Sequence, residues 1–109
     1  MAELGKAAGA ELTYELGEDS DGCPVVRLRG ELDMTTAPKL ETALEPIVTT
    51  APDRLVVDAS ELKFADSSAI ALLVRWANMV RHVEIRQPPD LLQRVIVRMG
   101  LADRLDVRP

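Results

Sequence analysis

The chain is poor in the residue types on which most enzymes and most extracellular proteins depend. Its 109 residues hold one cysteine, Cys23, and one histidine, His82. A lone cysteine excludes an intrachain disulfide and suits a reducing compartment. Cys23 is expected as a small half-buried residue near a turn rather than a redox sensor. One Cys and one His cannot supply the ligands of a zinc site. His82 is expected at a helix end, favoured there by the dipole. It lies far in sequence from the serines that a Ser-His-Asp triad would need. Neither a G-x-G-x-x-G nor a Walker pattern occurs, so no phosphate loop is present. Asp33 and Asp66 are too little supported by other acids or bases to argue for glycoside hydrolysis. No catalytic residue, metal ligand or cofactor is therefore expected.

Other absences narrow the class further. Cationic excess is missing: the formal charge is −5, and the arginines are scattered, so direct nucleic-acid binding is not expected. No apolar run approaches the roughly 20 residues that span a bilayer. Met1 to Ala10 lack the basic and apolar regions of a signal peptide. The expectation is a cytoplasmic protein with no membrane insertion. Aromatics make up only 3% of the chain while hydrophobic residues make up 47%, so the core must be built from Leu, Val, Ile and Ala. The length fits one domain. Residues 1–10 read as a flexible tail and 11–109 as the domain.

Within that domain, strand and helix signals alternate. Glu11 to Leu16 alternates polar and apolar, as does Val25 to Leu32, and the turn-rich Gly17 to Gly22 between them predicts a hairpin. Asp33-Met34-Thr35-Thr36-Ala37-Pro38 marks a helix start, where a threonine can cap and Pro38 fits the first helical position. Leu40, Ala43, Leu44, Ile47 and Val48 form its apolar face, with a kink or early end expected at Pro46. Arg54 to Ala59 reads as a central strand. A helix from Ser67 to about Arg81 follows. It carries one stripe of Ile70, Leu73, Val74, Ala77 and Val80 and a second of Leu72, Trp76 and Met79. Such a helix is either buried on two sides or offers one side to a partner. Val83 to Arg86 is a strand. Pro88-Pro89-Asp90 opens a third helix faced by Leu91, Leu92, Val95, Ile96 and Met99, and Gly100 ends it. Residues 101–107 can close with a short strand. The order β-β-α-β-α-β-α-(β) predicts an α/β fold with partly parallel pairing. In such sheets reactive groups gather beyond the strands' carboxyl ends. Asp33, Thr35, Asp66 and Ser67 fall there.

The chemistry-bearing element is Asp66-Ser67-Ser68, between an apolar strand and an apolar helix. A hydroxyl there can cap the helix. A phosphate is also well tolerated there, because backbone N–H groups and the helix dipole point toward it. Phosphorylating Ser67 adds nearly two negative charges. That would change a surface more than a fold, and Asp66 and Asp33 would oppose the new charge. This site receives chemistry rather than performing it.

Several elements together carry a resemblance: Gly30-Glu31-Leu32-Asp33, Thr36-Ala37-Pro38, Leu55-Val56-Val57-Asp58, Phe64-Ala65-Asp66-Ser67-Ser68 and Met99-Gly100-Leu101. They resemble the STAS domain, and more narrowly the bacterial anti-anti-sigma factors (anti-sigma factor antagonists), over residues 11–107. The resemblance implies a single STAS-type α/β domain, a mixed four- to five-stranded sheet backed by three to four helices. It implies a non-enzymatic regulator. Such a protein binds an anti-sigma factor that is itself a serine kinase using ATP and magnesium, and so frees the sigma factor. Phosphorylation at the position matching Ser67 ends the complex, and a phosphatase, of the PP2C type, reverses it. The partner surface expected on this basis comprises Asp33, Thr35, Thr36, Asp66, Ser67, Ser68, Ala69, Leu72 and Trp76. The family usually has glycine where this chain has Ala69 and Ala71. Alanine is the better helix former, so a stiffer turn is expected. A second reading, also by resemblance, is a STAS subunit seated on the ATPase of an inner-membrane phospholipid ABC transport complex. In a third, Asp66 and Ser67 only cap a helix.

Overall fold

A computed structural model describes residues 3–6 and 12–109 of the chain. The strands are β1 (Glu3–Lys6), β2 (Leu12–Glu18), β3 (Pro24–Leu32), β4 (Arg54–Ala65), β5 (His82–Arg86) and β6 (Leu105–Arg108); the helices are α1 (Ala37–Val48), α2 (Ser67–Met79) and α3 (Asp90–Arg98). They form one mixed sheet in the order β1-β2-β3-β4-β5-β6. The first three strands pair antiparallel, and β3 through β6 pair parallel. Each parallel step is bridged by one helix, as a crossover connection requires.

The expected α/β architecture, a mixed sheet backed by three helices, is observed, with one strand more than expected. Where a tail was expected, Glu3–Lys6 pairs with β2 as the sheet's edge. Residues 1–2 and 7–11 lie outside the described residues. His82 begins β5 rather than ending α2, and its Nε2 lies 3.1 Å from the Asp106 carboxylate. Cys23 is half-buried at the start of β3, as expected, and its N–H donates to Asp19.

Pro46 does not stop α1, which continues to Val48. A proline this close to the C-terminus removes only one backbone bond. Burial of Leu44 and Val48 on either side holds the last turn on the core. The larger departure is β4, which runs to Ala65 rather than Ala59 because β3 pairs with it from Val56 to Ala65. The pairing shifts register between Arg27 and Arg29 and again between Gly30 and Glu31. Gly30 has φ +105 at the second shift, a conformation that costs glycine little and other residues much. The bulge explains the glycine of Gly30-Glu31-Leu32-Asp33.

All three helices bury their apolar faces in one cluster against one side of the sheet, where Val26, Leu28, Leu55, Val57, Val83, Ile85 and Leu105 meet Leu40, Leu44, Leu73, Trp76 and Ile96. The intervening strand residues point the other way and pair by charge. Arg27 bridges Glu15 and Asp58, and Arg29 meets Glu61. Glu84, only 3% exposed, is neutralised by Arg54 and Arg86, the condition on which a buried carboxylate is tolerated. At the end of α3, Gly100 takes φ +70, and the Leu101 N–H returns to the Ile96 carbonyl at 3.0 Å. This is the glycine-closed helix end that the sequence predicts.

Candidate functional site

Because β3 and β4 are parallel neighbours, the loops at their carboxyl ends lie side by side. A direct bond joins them: the Asp66 N–H donates to the Leu32 carbonyl at 3.2 Å. The expected gathering of the Asp33 and Asp66 loops on one edge is therefore observed.

The Asp33 loop is braced internally. Asp33 Oδ1 accepts from the Thr35 N–H at 2.9 Å, the Thr35 hydroxyl at 2.7 Å and the Thr36 N–H at 3.1 Å. The Asp33 carbonyl accepts from the Ala37 N–H at 2.8 Å. These bonds, the Thr35 hydroxyl foremost, hold the Asp33 carboxyl below its ordinary range. Thr36 occupies the cap position of α1 without capping it. Its hydroxyl instead donates to the Glu31 carbonyl at 2.9 Å and accepts from the Asp33 N–H at 2.8 Å. Asp33 does the capping, and Thr36, 1% exposed, ties the loop to the end of β3.

The Asp66 loop is simpler. Asp66 is the N-cap of α2, and its carboxylate accepts from the Ser68 N–H at 2.8 Å. Ser67 follows as the first helical residue. It is exposed, and among the described residues its hydroxyl has no hydrogen-bond partner. Ser67 is not the cap; the cap reading belongs to Asp66 alone. Beside Ser67 opens an apolar groove of about 690 Å³ between α2 and α3.

The expected partner surface divides in two. Thr35 and Ser67 are exposed, and Asp33, Asp66 and Ser68 are partly so. Thr36, Ala69, Leu72 and Trp76 are buried: Leu72 is 0% and Trp76 1% exposed. Met79, at the end of the same stripe, is exposed, whereas Trp76 and Leu72 belong to the core. Side chains so placed cannot meet a partner docked on the surface, and this part of the expected set is corrected. Burial also separates the two alanines at the usual glycine positions. Ala69 is in the core, whereas Ala71 is exposed on the groove. Sequence reasoning missed Met34, 73% exposed between the two capping bonds of its loop. The available signal was an apolar residue in a turn, outside any periodic stripe. Exposed Phe64, at the end of β4, was missed as a surface residue for the same reason.

Residues 17–108 match the model of the family described as "Mlab, STAS domain". The chain belongs to the STAS domain family. A solved anti-sigma factor antagonist from Mycobacterium paratuberculosis is similar over 95% of this chain and 91% of its own, at 30% identity and a TM-score of 0.80. The anti-sigma-F factor antagonist RsfB of Mycobacterium tuberculosis is 36% identical over 62 residues, 57% of this chain. That match spans about half, 51%, of the length of the curated relative. The Bacillus cell fate determinant SpoIIAA, solved in its phosphorylated form, shares the fold at 19% identity, with a TM-score of 0.70 over 88% of this chain and 91% of its own.

Among the described residues no group of His, Cys, Asp and Glu side chains could hold a metal ion, and no helix is long and apolar enough to cross a membrane.

Proposed function

We propose that this STAS protein is an anti-sigma factor antagonist: unmodified, it binds an anti-sigma factor that is also a serine kinase, and phosphorylation of Ser67 ends the binding. The carrying observation is the position of Ser67. Its hydroxyl is exposed, free of structural hydrogen bonds, and set at the first residue of a helix whose cap is a neighbouring side chain. A phosphate there gains from the helix dipole and disturbs no internal bond. Asp66 beside it makes the phosphorylated surface strongly negative. The anti-sigma factor antagonists among its relatives support the same reading.

Only an exposed surface can serve the partner. Thr35, Met34, Asp66 and Ser67 present one, while Ala69 lies beneath it. The alanine in place of the second usual glycine, Ala71, remains the one point where a partner would meet a changed backbone environment. Catalysis belongs to the kinase; this chain supplies the accepting oxygen.

The test is binding of the cognate anti-sigma factor to unmodified protein, Ser67→Ala and Ser67→Asp, with intact-mass analysis after incubation with that factor and ATP. The expected result is one added phosphate on the unmodified protein, none on Ser67→Ala, and loss of binding by about 100-fold for Ser67→Asp. Equal binding by all three, with no added phosphate, rejects the proposal. Capture of a transport ATPase in place of an anti-sigma factor would choose the transport-complex reading.

A further inference from the structure

The groove beside Ser67 has a floor, two walls and a rim of distinct chemistry. Ile70, Val74, Leu92, Val95 and Leu101 make it apolar; Asp66, Ser67 and Arg75 are the charged or hydroxyl residues that line it. The α2 wall is the stripe 67, 70, 71, 74, 75, the i, i+3, i+4, i+7, i+8 spacing of one helix face. Eight steps of the helical rise, from 67 to 75, give it a length of about 12 Å. Arg75 is already committed, since Glu41 accepts from it at 2.7 and 3.0 Å.

The α3 rim is different. Leu91 is 63% and Met99 59% exposed. Both line the groove, and an object as wide as a helix, about 10 Å, would cover them. Over the crest from Leu91, on the outer flank of α3, stand Arg94 and Arg98, one turn apart and exposed, lining a separate pocket with Asp90, Gln93 and Val97. Arg27, Arg29, Arg54, Arg75, Arg86 and Arg108 each have a carboxylate partner. Among the described residues Arg81, Arg94, Arg98 and Arg104 have none, and Asp90, a turn before Arg94, does not pair with it. On a chain of net charge −5, two uncommitted cations on the outer flank of the helix that walls the groove select for negative charge at the edge of whatever lies there.

We propose that the α2–α3 groove receives an amphipathic helix of the anti-sigma partner. Its apolar stripe lies in the groove, and acidic residues beside that stripe face Arg94 and Arg98. This rests on the regulatory reading of Ser67 and gives it a physical cause. A phosphate on Ser67 sits at the groove's end, where it repels an acidic helix and loses water if that helix stays. The helix dipole of α2 that tolerates the phosphate does nothing to relieve that repulsion.

Two synthetic peptides of about 18 residues, long enough to form helix, provide the probe. Both carry Leu at i, i+3, i+4 and i+7; one is flanked by Glu, the other by Lys. Binding is followed by calorimetry and by methyl NMR shifts of Ile70, Val74 and Val95. The Glu-flanked peptide should bind with shifts confined to the groove, at least about tenfold more tightly than the Lys-flanked one. Arg94→Glu/Arg98→Glu should reverse that preference. Ala71→Trp, at an exposed position, should block both peptides, and Ser67→Asp should weaken the Glu-flanked peptide more than the other. Circular dichroism confirms that each variant is folded. Equal binding of the two peptides, binding of neither, shifts elsewhere, tighter occupation by decanoate, or self-association through this face would each overturn the proposal. The same variants are then measured against the intact anti-sigma factor. If Ser67→Asp releases it while Ala71→Trp and Arg94→Glu/Arg98→Glu leave binding unchanged, the groove inference falls and the regulatory reading stands. If the factor fails to bind unmodified protein, the regulatory reading falls, and the peptide result alone decides the groove.

Discussion

The loops after β3 and β4 start alike and do different work. Each places a hydroxyl residue shortly after an aspartate, at the head of a helix, and the two lie side by side. In the first, Asp33 accepts from its own loop, and the Thr36 hydroxyl is spent inside the protein on Glu31 and Asp33. In the second, Asp66 makes one capping bond and Ser67 makes none. A hydroxyl whose bonds hold a loop together cannot be modified without unfolding that loop. A hydroxyl with no such duty can carry a phosphate and return it. The two loops thus divide the task, one fixing the geometry and the other displaying the reactive atom.

The sharpest way to break this comparison is to put the same charge in both places. Thr36→Asp sets a carboxylate in a buried site beside Asp33 and should destabilise the fold by about 4 kcal/mol or more; Ser67→Asp should leave the unfolding midpoint in urea nearly unchanged. Similar midpoints for the two variants would dissolve the distinction. Thr36→Val removes the hydroxyl but keeps the shape. It leaves the Asp33 N–H and the Glu31 carbonyl without that partner, at a cost of about 2 kcal/mol by the same measurement. Asp66→Ala deletes the α2 cap and should cost about 1 kcal/mol.

A finer distinction lies in acid. Asp33 is held below its ordinary range when folded, so its contribution to stability is fully present above the unfolded pKa of about 3.9. It is lost as pH falls through the lower, folded value. Asp33→Asn should therefore lower stability at neutral pH and flatten the further loss below about pH 4, the two proteins converging in acid, as read by thermal melts across that range. Ser67→Ala has the smallest expected effect, within about 0.5 kcal/mol of the unmodified protein. A larger loss would mean that the Ser67 hydroxyl does hold the helix.

Much of the fold was legible in the chain. Alternation marked β2, β3 and β5, helical spacing marked α1 and α2, and Gly100 marked the end of α3. These signals are local: the period of a strand or helix and the turn preference of glycine need no distant neighbour. The misses share one cause. Pro46 looked like a breaker, and its neighbours' burial kept α1 going. β4 looked finished at Ala59, and pairing with β3 carried it to Ala65. A threonine of the Thr35-Thr36 pair looked like the cap, yet Asp33 took the N–H groups and the Glu31 carbonyl took the Thr36 hydroxyl. Trp76 and Leu72 looked available to a partner because a stripe on a helical wheel has a direction but no stated neighbour.

The sequence by itself determined the order of elements from β2 onward, the STAS family, and the place of Ser67 directly after Asp66 at the head of a helix. Those follow from spacing within a few residues. Only the tertiary structure decided which aspartate braces and which merely caps, which alanine is buried, and that α2 and α3 part to leave a groove ending at Ser67. Each of these is a competition for the same hydrogen-bond donors or the same apolar surface. Its winner depends on chain segments that are distant in sequence and adjacent only once the sheet has formed.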